Sequence, residues 1–287
     1  MKRTTEHKDV HGYREFYYDY YVPKVQHNKK IGTQMAVLVV IAHPDKNSFT
    51  QQWAKESIHG VRNLEHEVLV SDLYEMKFDP IEKAAHYDFT YPKNHFDVLR
   101  TQEFHSQNNS LPKEVLTELE KINRCELIIF HFPIWWFSPP AALKGWMERV
   151  FVNGAAHDTT YRFDKGKLKN KRAQFCVTMG ASKQESSFNG KEADIEMLLW
   201  PMAYTLKYLG MDVLPHKVIN SVHSYHTDNK KTSIEKNLKS ELQNQLSFIQ
   251  NCQQVEPLKF NKDTDFSNDG VLKESALSHS PFIRHSK

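Results

Sequence analysis

Three short segments hold most of the residue types that bind small molecules. The first, Ala42-His-Pro-Asp-Lys-Asn-Ser-Phe49, leads from an apolar run into a helical pattern. Asn47 or Ser48 can cap that helix, whose free N–H groups and positive dipole end suit a phosphate, and Ser48 adds a hydroxyl donor. The segment has neither GxGxxG nor GxxxxGKS/T, so it is no dinucleotide fingerprint or P-loop; an ordinary capped loop also fits it. The second, Phe132-Pro-Ile-Trp-Trp-Phe-Ser-Pro-Pro-Ala141, sets Trp135, Trp136 and Phe137 between prolines. That is a rigid apolar wall on which a planar aromatic cofactor can stack, although a hydrophobic mini-core has the same composition. The third, Thr178-Met-Gly-Ala-Ser-Lys183, offers close backbone approach at Gly180 and hydroxyl donors at Thr178 and Ser182.

Each segment follows an apolar run. Ala36 to Ala42, Glu67 to Ser71, Leu127 to Phe130 and Ala173 to Thr178 read as strands, the first mostly β-branched and buried on both faces, and Asp212 to Leu214 begins a fifth. Between them lie helical stripes: Phe49 to Val61, a short one near Phe96 to Phe104, Pro112 to Ile122, Leu143 to Phe151, Ile195 to Leu209 and Ile234 to Ile249. Pro112 suits a first turn, Gly210 a C-terminal cap, and Pro201 should bend its helix. Alternation of strand and helix gives an α/β fold, a doubly wound parallel five-stranded sheet with helices on both faces, and ligands bind such sheets at the carboxyl ends of the strands. Residues 1–34 read as an N-terminal extension, expected to be partly disordered, 35–257 as the domain and 258–287 as a C-terminal tail.

Composition narrows the class. Of 287 residues, 39% are hydrophobic, enough for a core, so wholesale disorder is excluded. The longest apolar run, Met35 to Ala42, is far short of a membrane span, and no secretory h-region is visible. A net charge of +3, with interspersed signs, does not argue for nucleic acid. Three scattered cysteines suit a reducing cytoplasm better than a disulfide framework. His223-Ser-Tyr-His226 has no HExxH spacing and no neighbouring cysteine, so no metal site is expected.

The segments HPDKNSF, SDLYEMKFDPI, FHFPIWWFSPPAALKGWMERVF, YRFDKGKL and LLWP together resemble the NAD(P)H:quinone oxidoreductases of the DT-diaphorase type, with a flavodoxin-like fold. The resemblance covers roughly Met35 to Pro257. It implies FAD as cofactor rather than FMN, NAD(P)H as co-substrate, a two-fold homodimer, and two-electron reduction of a quinone or other small aromatic acceptor in ping-pong fashion. By resemblance, His43, Ser48, Phe49 and Thr50 would hold the FAD diphosphate and ribityl region. Pro133, Ile134, Trp135, Trp136 and Phe137 would form the isoalloxazine wall, and Thr178, Met179, Gly180 and Ala181 the opposite edge. Tyr91 would reach the cofactor across the dimer, and Asp228 and Lys231 would lie near its adenosine end. A basic stretch, Lys165 to Arg172, reads as a solvated turn that can also attract a phosphorylated nicotinamide.

The chain departs from the family pattern where catalysis is expected. The family's catalytic tyrosine and histidine fall at Ser186 and Glu192, poorer donors for charge on a reduced ring. The two tyrosines at the mouth fall at His157 and Thr159, with Tyr161 nearby. Slow flavin reduction is therefore expected. Two alternatives stay open: an FMN azoreductase of the same fold, and a regulatory subunit of a potassium-efflux system for which weak catalysis suffices. Removing the tail after Pro257 is expected to weaken cofactor retention without unfolding the sheet.

Overall fold

A computed structural model describes residues 34–285; except for Gln34, the expected N-terminal extension lies outside the described residues. The strands are β1 (Ala36–Ile41), β2 (Glu67–Asp72), β3 (Leu127–Pro133), β4 (Arg172–Thr178), β5 (Asp212–Val213) and β6 (Lys217–Ile219). The helices are α1 (Phe49–Asn63), α2 (Val98–Gln107), α3 (Lys113–Arg124), α4 (Ala141–Val150), α5 (Ile195–Tyr208) and α6 (Asp228–Asn251). All pairings are parallel and the order is β2-β1-β3-β4-β5. The chain moves from β1 to one side and then, at β3, to the other, so the strand order reverses between β1 and β3.

The expected fifth strand comes in two pieces. β5 pairs with the start of β4 and β6 with its end. Between them Pro215 has no N–H for the ladder, and the Gln174 side-chain amide takes up the Pro215 carbonyl at 2.8 Å.

Strand alternation sorts the core into two layers. Leu38 and Val40 of β1 face α3, α4 and α5, packing with Ile122, Trp146 and Leu206. Val37, Val39 and Ile41 face α1 and α6, packing with Trp53, Val61 and Ile249. In the second layer the Trp53 indole N–H donates to Gln245 Oε1 at 2.9 Å, and Gln245 Nε2 donates to Ser57 Oγ, which in turn meets His131 Nε2 at 2.8 Å. This buried polar chain ties α6 to α1 and to the middle of β3.

The tail packs on the domain: Leu258 N–H donates to Val213 O at 2.7 Å, Phe260 packs on the core, and Phe282 stacks on Trp200 at 4.6 Å between ring centroids. The basic stretch is not simply a solvated turn. Arg172 is buried and donates to the Cys252 and Val255 carbonyls, while Lys171 donates to Asn123 O and Cys125 O. Lys167 pairs with Asp158 at 2.8 Å. Three of the five cations are thus spent on helix ends and a neighbouring loop.

Candidate functional site

The loops after β1, β3 and β4 share the carboxyl edge of the sheet at the reversal point. In the first, Ser48 caps α1, its Oγ accepting from Gln51 N–H at 3.2 Å. The Phe49 and Thr50 N–H groups find no acceptor among the described residues, which leaves the helix start open to an anion. Asp45 N–H donates to His43 Nδ1 at 3.1 Å. Burial holds the His43 pKa below its usual value despite the Asp45 carboxylate. The neutral ring therefore carries its proton on Nε2 and presents a donor. Its edge meets Trp135, with centroids 5.5 Å apart.

The second loop makes the turn that the prolines alone did not foretell. Trp135 and Ser138 exchange backbone hydrogen bonds at 2.9 and 3.1 Å, and the two residues between them, Trp136 and Phe137, have φ of 51° and 58°. Positive φ at both central positions is the habit of Asn-Gly turns, and bulky side chains there carry strain. Trp136 is 93% exposed and Phe137 51%. The turn thus spends backbone strain to hold two aromatic rings in solvent, the reverse of what a mini-core does. Pro133 lies buried at the end of β3, and Ile134 N–H is anchored on Thr178 O at 2.9 Å.

The third loop starts at Thr178, whose hydroxyl meets that of Thr50 at 2.7 Å in a buried position. Met179 is buried and bonded to Ile219 O. A Cβ built on Gly180 meets nothing within 4 Å, so open space stands before it. The N–H groups of Trp136, Phe137, Gly180 and Ala181 find no acceptor among the described residues. Unpaired donors around an open, aromatic-walled space fit a flat ligand rich in acceptors.

Other expected residues scatter. Ser186 is 3% exposed; its hydroxyl donates to Ser182 O at 3.0 Å and accepts from Asn220 Nδ2 at 2.9 Å. Its single proton is already placed, so it has none to offer a ring. Glu192 is half-buried, its N–H bonded to Glu185 O. Tyr91 stacks on Phe104 at 4.8 Å between ring centroids, and the Arg100 guanidinium lies over the Tyr91 ring at 5.4 Å. Asp228 opens α6, and Lys231, one turn on, stands 3.8 Å from Glu235. Thr159 is exposed, as is Tyr161, with the Lys167 ammonium 5.8 Å from its ring.

His157 does join a wall residue. It lines, with Phe137, a groove of about 670 Å³ between α4 and α5, whose apolar surface comes from Met147, Phe151, Trp200 and Tyr208. Its ring meets Tyr208 edge-on at 5.5 Å. Burial first, then Lys167, lowers its pKa. Asn220 and the strained turn are the features that residue patterns missed; neither leaves a local signal.

A family model described as flavodoxin-like fold matches residues 35–246. The NAD(P)H dehydrogenase [quinone] 1 of Cavia porcellus is 37% identical over 182 residues, 62% of this chain and 65% of its own length, so the chain spans a little under two thirds of that relative. The ribosyldihydronicotinamide dehydrogenase [quinone] of Mus musculus is 35% identical over 187 residues, 63% of this chain and 80% of that one. A solved protein of Klebsiella pneumoniae, assigned by its description to the quinone reductases, superposes with a TM-score of 0.76 at 26% identity, covering 84% of this chain and 94% of its own.

Proposed function

The chain belongs to the flavodoxin-like fold family, alongside quinone-reducing dehydrogenases, and from that premise we propose that it is a flavin-dependent NAD(P)H dehydrogenase reducing quinones or related aromatic acceptors by two electrons. The observation that carries the reading is the Trp136-Phe137 turn, strained, solvent-facing and ringed by unpaired N–H groups.

The residues present fit a flavin. When bound, it would take hydride from NAD(P)H and pass it to the acceptor. Trp136 and Phe137 would supply the flat wall that orients the ring and excludes water from one side. The free N–H groups of Trp136, Phe137, Gly180 and Ala181 would take its acceptors and favour negative charge on it. The open start of α1 and the Nε2–H of His43 would hold the diphosphate. FAD is the expected form, since a tail follows the sheet and packs on it. Glu192 is the remaining side chain expected near the ring and, when ionised, would oppose negative charge there.

The exposed wall and the apolar groove beside it support a homodimer, in which Tyr91 would reach the partner's cofactor, with His157, Thr159 and Tyr161 at the mouth of the site. Three buried free thiols are consistent with a reducing cytoplasm, and among the described residues no helix is long and apolar enough to cross a membrane.

The spent Ser186 hydroxyl favours one second reading, a regulatory subunit of an efflux system in which turnover is slow. Purified protein should be yellow, release FAD on denaturation, run as a dimer in light scattering and oxidise NADH or NADPH with menadione. Colourless protein that takes up neither FAD nor FMN would sink the flavin reading; released FMN would move the chain to the azoreductase branch. Bound flavin with negligible turnover would favour the regulatory one.

A further inference from the structure

The segment after β6 is stitched to the flavin-edge loop. Met179 N–H donates to Ile219 O, Val222 N–H to Met179 O and Ser221 N–H to Ala181 O, each at 3.0 Å. Ser221 sits at φ 61°, which turns the chain immediately after Asn220. From there the Asn220 side chain reaches Ser186, 34 residues earlier in the chain.

The chemistry of that contact is fully determined. Ser182 O is a carbonyl and only accepts, so the Ser186 hydroxyl must donate to it. The Ser186 oxygen is then left as an acceptor, and only a donor satisfies it: the Asn220 Nδ2–H. Ser186 O in turn accepts the N–H of Ile195, the first residue of α5. The turn beyond is closed so tightly that a Cβ at Gly190 would lie 2.1 Å from Glu185 O. Ser186 N–H also donates to Ser182 O and Glu192 N–H to Glu185 O, and the Asn220 amide is the side chain that ties this loop, whose tip bears Phe188, 84% exposed, to the segment after β6.

We propose that Asn220 is a positioning residue of this site, holding Ser186 and through it the loop from Met179 to Asp194 so that the free N–H groups of Gly180 and Ala181 stand where the flavin edge is bound. Ser186, placed by sequence where a catalytic donor is expected, is the inner half of that clamp. This role rests on the flavin reading of the site, but the loop itself can be observed without flavin.

The test uses Asn220→Ala, Asn220→Asp, Ser186→Ala and the Ser186→Ala/Asn220→Ala double variant in the full-length protein. In protein stripped of flavin, hydrogen exchange should quicken at residues 182–192 in every variant and stay unchanged in β1 and β3. FAD titrations followed by flavin fluorescence should show about tenfold weaker binding for each single variant, the loss of one well-placed bond, and no further loss in the double. Asn220→Asp, whose carboxylate can take the Ser186 hydroxyl proton only by drawing it away from Ser182 O, should also weaken binding, and the bound flavin's absorption envelope should change in both Asn220 variants. Additive losses in the double variant, or unchanged loop exchange, would overturn the proposal. Exchange that quickens throughout the sheet would reduce Asn220 to general stability and overturn it equally. If the wild type binds no flavin while the loop exchange still follows Asn220, the clamp stands and the flavin reading falls.

Discussion

The hydroxyls of Thr50 and Thr178 meet at 2.7 Å with both side chains buried. One belongs to the first turn of α1, the other is the last residue of β4, so a single hydrogen bond joins the segment after β1 to the loop after β4. Thr50→Val or Thr178→Val alone should cost about 1–3 kcal/mol, because each strands a buried hydroxyl. The double substitution should cost less than the sum, as both polar atoms go together. Chemical denaturation of the three variants measures the coupling, and additive costs would show that the two hydroxyls do not depend on each other.

Trp136 holds a left-handed conformation that aromatic residues seldom adopt. Asparagine takes it readily. Trp136→Asn should therefore stabilise the flavin-free protein by about 1 kcal/mol while weakening flavin binding by about 1–3 kcal/mol through lost stacking area. Opposite signs in the thermal melt and the flavin titration are the expected outcome; a fall in both would mean that the ring supports the fold.

Acid should destabilise the protein through buried histidines. Burial, with the Lys217 ammonium, holds His131 down to about 3, and burial holds His216 down to about 4, against 6.5 when unfolded. Between those values the unfolded chain binds more protons, so stability rises with pH. It is complete above about pH 6.5 and is lost as pH falls, at about 1.4 kcal/mol per pH unit for each histidine. The His216 ring lies flat on Phe175 at 5.0 Å, so His216→Phe should keep the stack and remove about one proton from the slope between pH 4 and 6.5. Urea midpoints across that range provide the check.

Deleting the chain after Pro257 should lower stability as well as cofactor retention, because Phe260 and Phe282 leave apolar partners behind. Phe282→Ala alone should cost about 1 kcal/mol from its stack on Trp200. A truncated protein that melts with the intact one would place the tail outside the cooperative unit.

The sheet was legible because strands buried on both faces leave continuous apolar runs, and α1, α3, α4 and α5 because each has one apolar stripe. β6 was not: Lys217-Val-Ile219 is three residues long and follows a proline. The wall residues were legible as an aromatic cluster, but nothing in Trp136-Phe137 announces positive φ, since Gly and Asn, the usual markers, are missing. Ser186 stands in the sequence where a ring donor is expected, but its hydroxyl donates to Ser182 O. Whether a serine hydroxyl is free depends on a partner such as Asn220, and local spacing carries no trace of it. The basic run is a solvated turn at Lys165, Lys167 and Lys169 but not at Lys171 and Arg172, whose acceptors are carbonyls at helix ends, which every sequence has.

The pairing of Trp53 with Gln245 bears on how the chain is made. Their hydrogen bond spans 192 residues, and α6, which also buries Ile249 against Gly60, is made well after α1. At about 5–20 residues per second, the inner face of α1 waits roughly 10–40 seconds for its cover. During that interval the side of α1 that meets α6 stays uncovered while β3, β4 and the helices of the opposite layer are still being made. A holdase that shields one aromatic helix face would find its substrate there, and slowing translation before residue 228 should lower the yield of folded protein more than slowing it after residue 251.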